Sequence, residues 1–115
     1  MKHLEHKLQC SCIKYFRYAY PVYSKLLFSI PNGGSRNIIE AVKLKKEGVL
    51  AGCADLFLSV PNSFYHGFYI EMKYGKNKQS ENQKIFQKEV EAVGYKYSLC
   101  YSFDEFEILI KYYLK

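Results

Sequence analysis

GCADLFLSV-PNSFYH-GFYIEMK, residues 52–73, is the segment on which the fold turns: two apolar runs flanking a stretch of turn-forming residues. Side chains alternate across a strand, so Leu56, Leu58 and Val60 share one face of the first run while Asp55, Phe57 and Ser59 share the other. In the second run Phe68, Ile70 and Met72 share a face, opposite Glu71 and Lys73. Short apolar runs bounded by Pro, Asn, Ser and Gly predict an antiparallel hairpin. If both apolar sets line the core, odd positions must pair with odd positions, because a slip of one residue turns one set outward. That parity collects Asp55, Glu71 and Lys73 on one face. A hairpin centred near Phe64 pairs Asp55 with Lys73 and leaves Glu71 on the diagonal, at a Cα separation of roughly 7–8 Å.

Upstream, Leu4, Leu8, Cys12 and Phe16 recur at helical spacing with Pro21 just beyond, which predicts a helix ending near Ala19 or Tyr20. Glu5 and Gln9, four apart, share one face of it. KLLFSI (25–30) reads as a short strand, PNGGS (31–35) as a turn, and Asn37 to Glu47 as a basic helix closed by Gly48. Downstream, Ser80 with Gln83 and Ser102 with Glu105 form the capping-box pattern ahead of two further helices, and YKYSLCY (95–101) between them reads as a strand. The order helix, strand, helix, two strands, helix, strand, helix predicts one α/β domain over residues 1–115 around a mixed sheet.

A chain of 115 residues, 49% of them apolar, can build one core without covalent staples. Its 17 basic against 11 acidic residues give a formal charge of +6, which favours a polyanionic partner such as nucleic acid. No apolar run is long enough to span a membrane and no secretory leader pattern opens the chain, so a cytoplasmic protein with reduced cysteines is expected. A zinc reading would combine Cys10 and Cys12 with His3 and His6; a C-x-C within one helix points its sulfurs to different sides, so Cys10, Cys12, Cys53 and Cys100 read better as structural thiols.

Two carboxylates and a lysine on one face can do more than pair. Asp55 and Glu71 together suit a hard cation such as Mg2+, which is bound by one or two carboxylates plus water and phosphate oxygens. Such an ion lowers the pKa of bound water, and an adjacent ammonium can orient that water or stabilise charge on a phosphate in transit. Phosphodiester hydrolysis needs this set. Spacing by itself equally describes a solvated strand face with an ordinary cross-strand ion pair, and on spacing alone that plainer reading is favoured.

Asp55 followed by Glu71-Met72-Lys73 resembles the D…E-x-K motif of the PD-(D/E)xK nuclease superfamily. More narrowly, the chain resembles the virus-type replication-repair nuclease (VRR-NUC) domain in its small stand-alone form. The matching pieces run along nearly the whole chain: Glu5-x-x-x-Gln9, the IPNGG turn, LKKEGVLAG, A-D-L-F-L, Y-I-E-M-K, the Gln83 helix, GYKY, and the terminal DEF helix. One departure is Ala54, where the family often has proline before the aspartate; it alters backbone stiffness and removes no ligand.

The resemblance implies a restriction-endonuclease-like mixed sheet flanked by helices. It implies that Asp55 and Glu71 bind Mg2+ or Mn2+, with the Met72 backbone carbonyl as a further ligand and Glu5 approaching from the first helix. It makes Lys73 the catalytic lysine and brings Gln83 to the site, although Gln83 is equally explained as a cap and Glu5 as a first-turn acid favoured by the helix dipole. The implied activity is a metal-dependent endodeoxyribonuclease acting in DNA repair on branched DNA such as four-way (Holliday) junctions, in homodimeric form, within a bacterial or phage-infected cell. A non-catalytic DNA-binding or nuclease-accessory protein of the same fold is the alternative.

Candidate DNA contacts are Arg36 beside the glycine turn, Lys43, Lys45 and Lys46 on the basic helix, and Lys76 and Lys78 beyond E-x-K. Charge runs are more often solvated faces. The PNGGSR turn lacks the lysine and spacing of a P-loop, so no nucleotide cofactor is expected.

Overall fold

The parity expected for residues 52–73 holds, and the register is displaced by two residues. The computed structural model describes residues 2–31 and 37–115; the PNGGS turn from Asn32 onward and Arg36 lie outside them. Strand β2 (Leu56–Leu58) pairs antiparallel with β3 (Phe68–Met72), Leu56 facing Ile70, Phe57 facing Tyr69 and Leu58 facing Phe68. The hairpin therefore centres on Ser63, and continuing its ladder by one step sets Asp55 opposite Glu71 rather than Lys73. The turn fixes this. Asn62 accepts hydrogen bonds on its side-chain oxygen from the backbone N–H groups of Phe64 (2.9 Å) and Tyr65 (2.8 Å), and its own N–H bonds to the Tyr65 carbonyl at 2.9 Å. An asparagine that folds the chain over its own side chain decides where a turn begins, and the turn sets the register.

The remaining elements follow the expected order. Helix α1 (Lys2–Ala19) leads through a 3₁₀ turn (Pro21–Tyr23) into β1 (Leu27–Ser29), then α2 (Ile38–Lys46) precedes the hairpin. Helix α3 (Glu81–Ala92), β4 (Lys96–Cys100) and α4 (Phe103–Tyr113) complete the chain. The sheet order is β1-β2-β3-β4, with β1 and β3 antiparallel to β2, and β4 parallel to β3. A parallel pair needs a crossover connection, and α3 supplies it.

Helix ends follow local chemistry. Asn37 caps α2 through the Glu40 N–H, and Gly48 beyond its end takes φ +104°, the left-handed state that stops a helix. Ser80 and Gln83 form a complete, reciprocal capping box on α3. The second box is only half made: Ser102 Oγ accepts from Glu105 N, yet the Glu105 carboxylate reaches back to Tyr101 N at 2.9 Å, one residue earlier than expected.

The core lies on one face of the sheet. Leu27, Leu56, Leu58, Phe68, Ile70 and Met72 are buried there beneath Cys12 and Phe16 of α1 and Phe106, Ile110 and Tyr113 of α4. The other face carries Phe57, Tyr69, Tyr95 and Tyr97 in a line of ring contacts, with Phe86 of α3 seated edge-on against Tyr69 (5.2 Å between centroids). It is the face toward which Glu71 points.

Cys12 and Cys100 are buried, Cys10 is exposed and none of the four cysteines forms a disulfide. Burial pushes the thiols of Cys12 to about 12 and Cys100 to about 11, so both are inert core groups. His6 meets Cys10 at 3.5 Å, while Cys12 faces the core and no group of three or more His, Cys, Asp or Glu side chains converges on a metal-sized site among the described residues. The zinc reading is thus not assembled. No helix of the described residues is long and apolar enough to cross a membrane.

Candidate active site

Glu71 sits within a core strand and is fully buried, which is where a carboxylate costs most unless something holds it. Four groups surround it. Lys73 Nζ lies 3.0 Å from its Oε2. The phenol of Tyr97 donates a hydrogen bond to Oε1, and Gln79 Nε2 adds a second at 3.3 Å. Asp55, opposite Glu71 in the extended ladder, accepts the Met72 N–H on Oδ2 at 2.7 Å.

Lys73 is held from two sides. Its backbone N–H donates to the Cys100 carbonyl at 2.9 Å, continuing the parallel ladder past the end of β3, and its ammonium donates to Gln83 Oε1 at 3.0 Å. The same Gln83 oxygen accepts from Ser80 N at 2.9 Å. Gln83 is thus both the capping residue of α3 and the orienter of Lys73, so the two readings of it are one geometry. An ammonium has three donors; Gln83 accepts one, the Glu71 contact is an ion pair, and donor capacity is left for solvent or substrate.

Glu5, in the first turn of α1, accepts from Asn77 Nδ2 at 2.7 Å and stands near enough to add to the negative field on Asp55. Asn77 also offers its carbonyl to the Tyr101 hydroxyl at 2.9 Å, so the loop after β3 is tied to both α1 and the β4–α4 turn. Lys76 and Lys78 flank Asn77 on this loop, exposed and beside the site. Lys43, Lys45 and Lys46 occupy the last turn of α2, with no hydrogen bond or ion pair joining them to the site among the described residues.

Burial is the largest influence on Asp55, with Glu71 and Glu5 adding repulsion and the Met72 N–H and Lys73 opposing it; its carboxyl is pushed up to about 6. An unfolded aspartate titrates near 3.9. Below that pH both states are protonated. Between about 4 and 6 the folded state keeps a proton that the unfolded state has lost, so stability falls as pH rises through this window and then levels off. The expected loss is about 2–3 kcal/mol in chelator-treated protein. Thermal unfolding of parent and Asp55→Asn between pH 4 and 7 isolates it: the parent should lose ground against the variant as pH rises, and parallel curves contradict the assignment.

The donor set fits a hard divalent cation. Glu71 Oε2 is buried and accepts no directed hydrogen bond, since Lys73 meets it as an ion contact. Asp55 spends one oxygen on Met72 N–H, and burial, with repulsion from Glu71 and Glu5 added to it, raises its pKa. A cation at this point would satisfy Oε2 and neutralise the shared charge.

Three of the site's residues escaped the sequence reading of roles: Tyr97, Gln79 and Asn77. Parallel pairing of Tyr69 with Tyr97 puts the phenol on the Glu71 face, a fact of strand order that local pattern does not carry. Burial and the bond to Glu71 raise the Tyr97 pKa, so it stays a donor. An unforeseen groove of about 510 Å³ also runs along α1 past Gln9 to Ile13, with His6, Lys14 and Arg17 on its rim and Ser29 opposite.

The VRR-NUC domain profile matches residues 1–104. Among solved structures, a chain described as a VRR_NUC domain protein superposes with a TM-score of 0.84 at 24% identity, covering 96% of this chain and 87% of that one. No curated protein matches significantly. With the same α/β fold, and with a family match that spans every element through the start of α4, this chain belongs to the VRR-NUC domain family of nucleases.

Proposed function

We propose that this chain is a divalent-metal-dependent, structure-selective DNA endonuclease. The observation that carries the reading is Glu71: a fully buried carboxylate whose Oε2 lacks a hydrogen bond, with Asp55 opposite and the Lys73 ammonium at 3.0 Å.

Asp55, Glu71 and the Met72 carbonyl would hold Mg2+ or Mn2+, with Glu5 adding negative charge from α1. The bound ion would supply Lewis acidity toward a phosphate oxygen and a more acidic water. Lys73 directs its free N–H toward the attacking water or the developing phosphorane charge, and Gln83 keeps the ammonium from swinging away. Sequestering Lys73 at 9% exposure keeps bulk water from screening it.

Exposed Lys76 and Lys78, with Lys14 and Arg17 along the α1 groove, would meet backbone phosphates. Arg36, Lys43, Lys45 and Lys46 would extend that contact on a longer substrate. Branched DNA, including four-way junctions, is the proposed substrate, and a two-fold dimer would set two such sites on opposed strands. A cytoplasmic setting agrees with cysteines that form no disulfide.

Purified protein with Mg2+ or Mn2+ should cleave at least one of a linear, nicked, flap and four-way DNA panel, and Asp55→Asn should lower the rate by roughly 10²-fold or more. Absence of cleavage on every substrate, or equal cleavage by Asp55→Asn, overturns the enzyme reading in favour of a non-catalytic DNA-binding protein of the same fold.

A further inference from the structure

The two oxygens of Glu71 live in different surroundings. Oε1 is doubly engaged, by the Tyr97 phenol and by Gln79 Nε2. Oε2 has the Lys73 ion contact and no directed hydrogen bond.

Both donors to Oε1 are themselves braced. Tyr97 is 5% exposed, its ring lies beside Phe86, and parallel pairing with Tyr69 fixes its strand position two residues short of Glu71. Gln79 gives its amide also to Gln87 Oε1 at 2.9 Å, and Gln87 in turn donates to Glu91 at 3.2 Å, so a polar chain runs from the buried carboxylate along α3 toward solvent. A phenol buried beside a carboxylate, with a second donor locked by its own partner, holds that carboxylate in one rotation about its terminal bond.

We propose that Tyr97 and Gln79 are positioning residues that make Glu71 a one-oxygen ligand: they reserve Oε1 and leave only Oε2 for a divalent cation. The inference rests on the metal site described above and adds its selectivity. Mg2+ and similarly small ions demand near-octahedral geometry and accept a single carboxylate oxygen, whereas Ca2+ takes six to eight oxygens and readily uses a carboxylate through both. Holding Oε1 by hydrogen bonds therefore disfavours Ca2+ relative to smaller ions. Releasing Oε1 lets the carboxylate rotate and spread both oxygens around a larger cation.

The test needs no cleavage. Parent protein, Tyr97→Phe and Gln79→Ala are titrated with Mn2+ and with Ca2+ by calorimetry, with thermal unfolding recorded on each. Partners that orient metal ligands contribute about 10–100-fold to metal affinity. Tyr97→Phe should lose roughly tenfold or more in Mn2+ affinity and less in Ca2+ affinity, so the Mn2+:Ca2+ preference falls. Gln79→Ala, a half-buried loop residue whose removal opens no core cavity, should move the same ratio in the same direction by a smaller factor; it decides the matter if Tyr97→Phe does not fold. A lowered melting temperature with an unchanged Mn2+:Ca2+ ratio in the folded variants would show a purely structural role and overturn the inference. If the parent binds neither ion, the metal site itself is wrong and the positioning role falls with it.

Discussion

Lys73→Met is expected to slow cleavage by roughly 10²–10³-fold or more and to destabilise the fold by about 3–5 kcal/mol. The two effects have one origin. Glu71 is fully buried and Lys73 supplies the positive charge nearest its Oε2. Methionine fills the stem's volume and removes that charge, leaving a carboxylate with Tyr97 and Gln79 on one oxygen and nothing on the other. Breaking one side of a buried pair costs far more than replacing both, because the surviving charge stays desolvated. Glu71→Gln combined with Lys73→Met should therefore recover a substantial part of the lost stability while remaining inactive. Urea unfolding of the parent, both single variants and the double variant measures the coupling; additive losses would mean that the ion pair is solvated in solution.

Gly52→Ala is expected to cost about 3 kcal/mol or more and to disable the site without touching a reactive group. Gly52 has φ +88°, and an added Cβ would stand 2.6 Å from the backbone carbon of Asn82. The turn into β2 thus lies directly against the first turn of α3. Asn82 adjoins Gln83, so pushing this contact apart moves the residue that orients Lys73. Gly48 is the control: it too has positive φ, at +104°, yet an added Cβ meets nothing within 4 Å. Gly48→Ala should show only the conformational cost of about 1–2 kcal/mol. Denaturant midpoints and cleavage rates for the two variants separate backbone strain from the α3 contact; equal losses would mean that the contact is unimportant.

Much of the candidate site was legible before any coordinates. Alternation along Phe68 to Lys73 put Glu71 and Lys73 on one face, and burial of both apolar sets brought Asp55 to the same side. The Ser80–Gln83 pattern announced the cap that places Gln83. These are features of period and local hydrogen bonding, which a short window of sequence contains in full.

The Asp55 partner was not legible in that way. Parity allows register shifts of two residues without exposing the core, and the choice between Lys73 and Glu71 opposite Asp55 fell to the side-chain bonds of Asn62 in the turn. Tyr97 and Gln79 lie 26 and 8 residues from the Glu71 oxygen they hold. Asn77 meets Glu5 across 72.

By itself, then, the sequence determined the elements, their order, and the hairpin face that Asp55, Glu71 and Lys73 share, because each depends on periodicity, capping or motif. Only the tertiary structure decided which oxygen of Glu71 is hydrogen-bonded and which meets the Lys73 ammonium alone. That outcome depends on β4 lying parallel to β3 and on α3 crossing over them, contacts between distant residues that packing selects and no local pattern encodes.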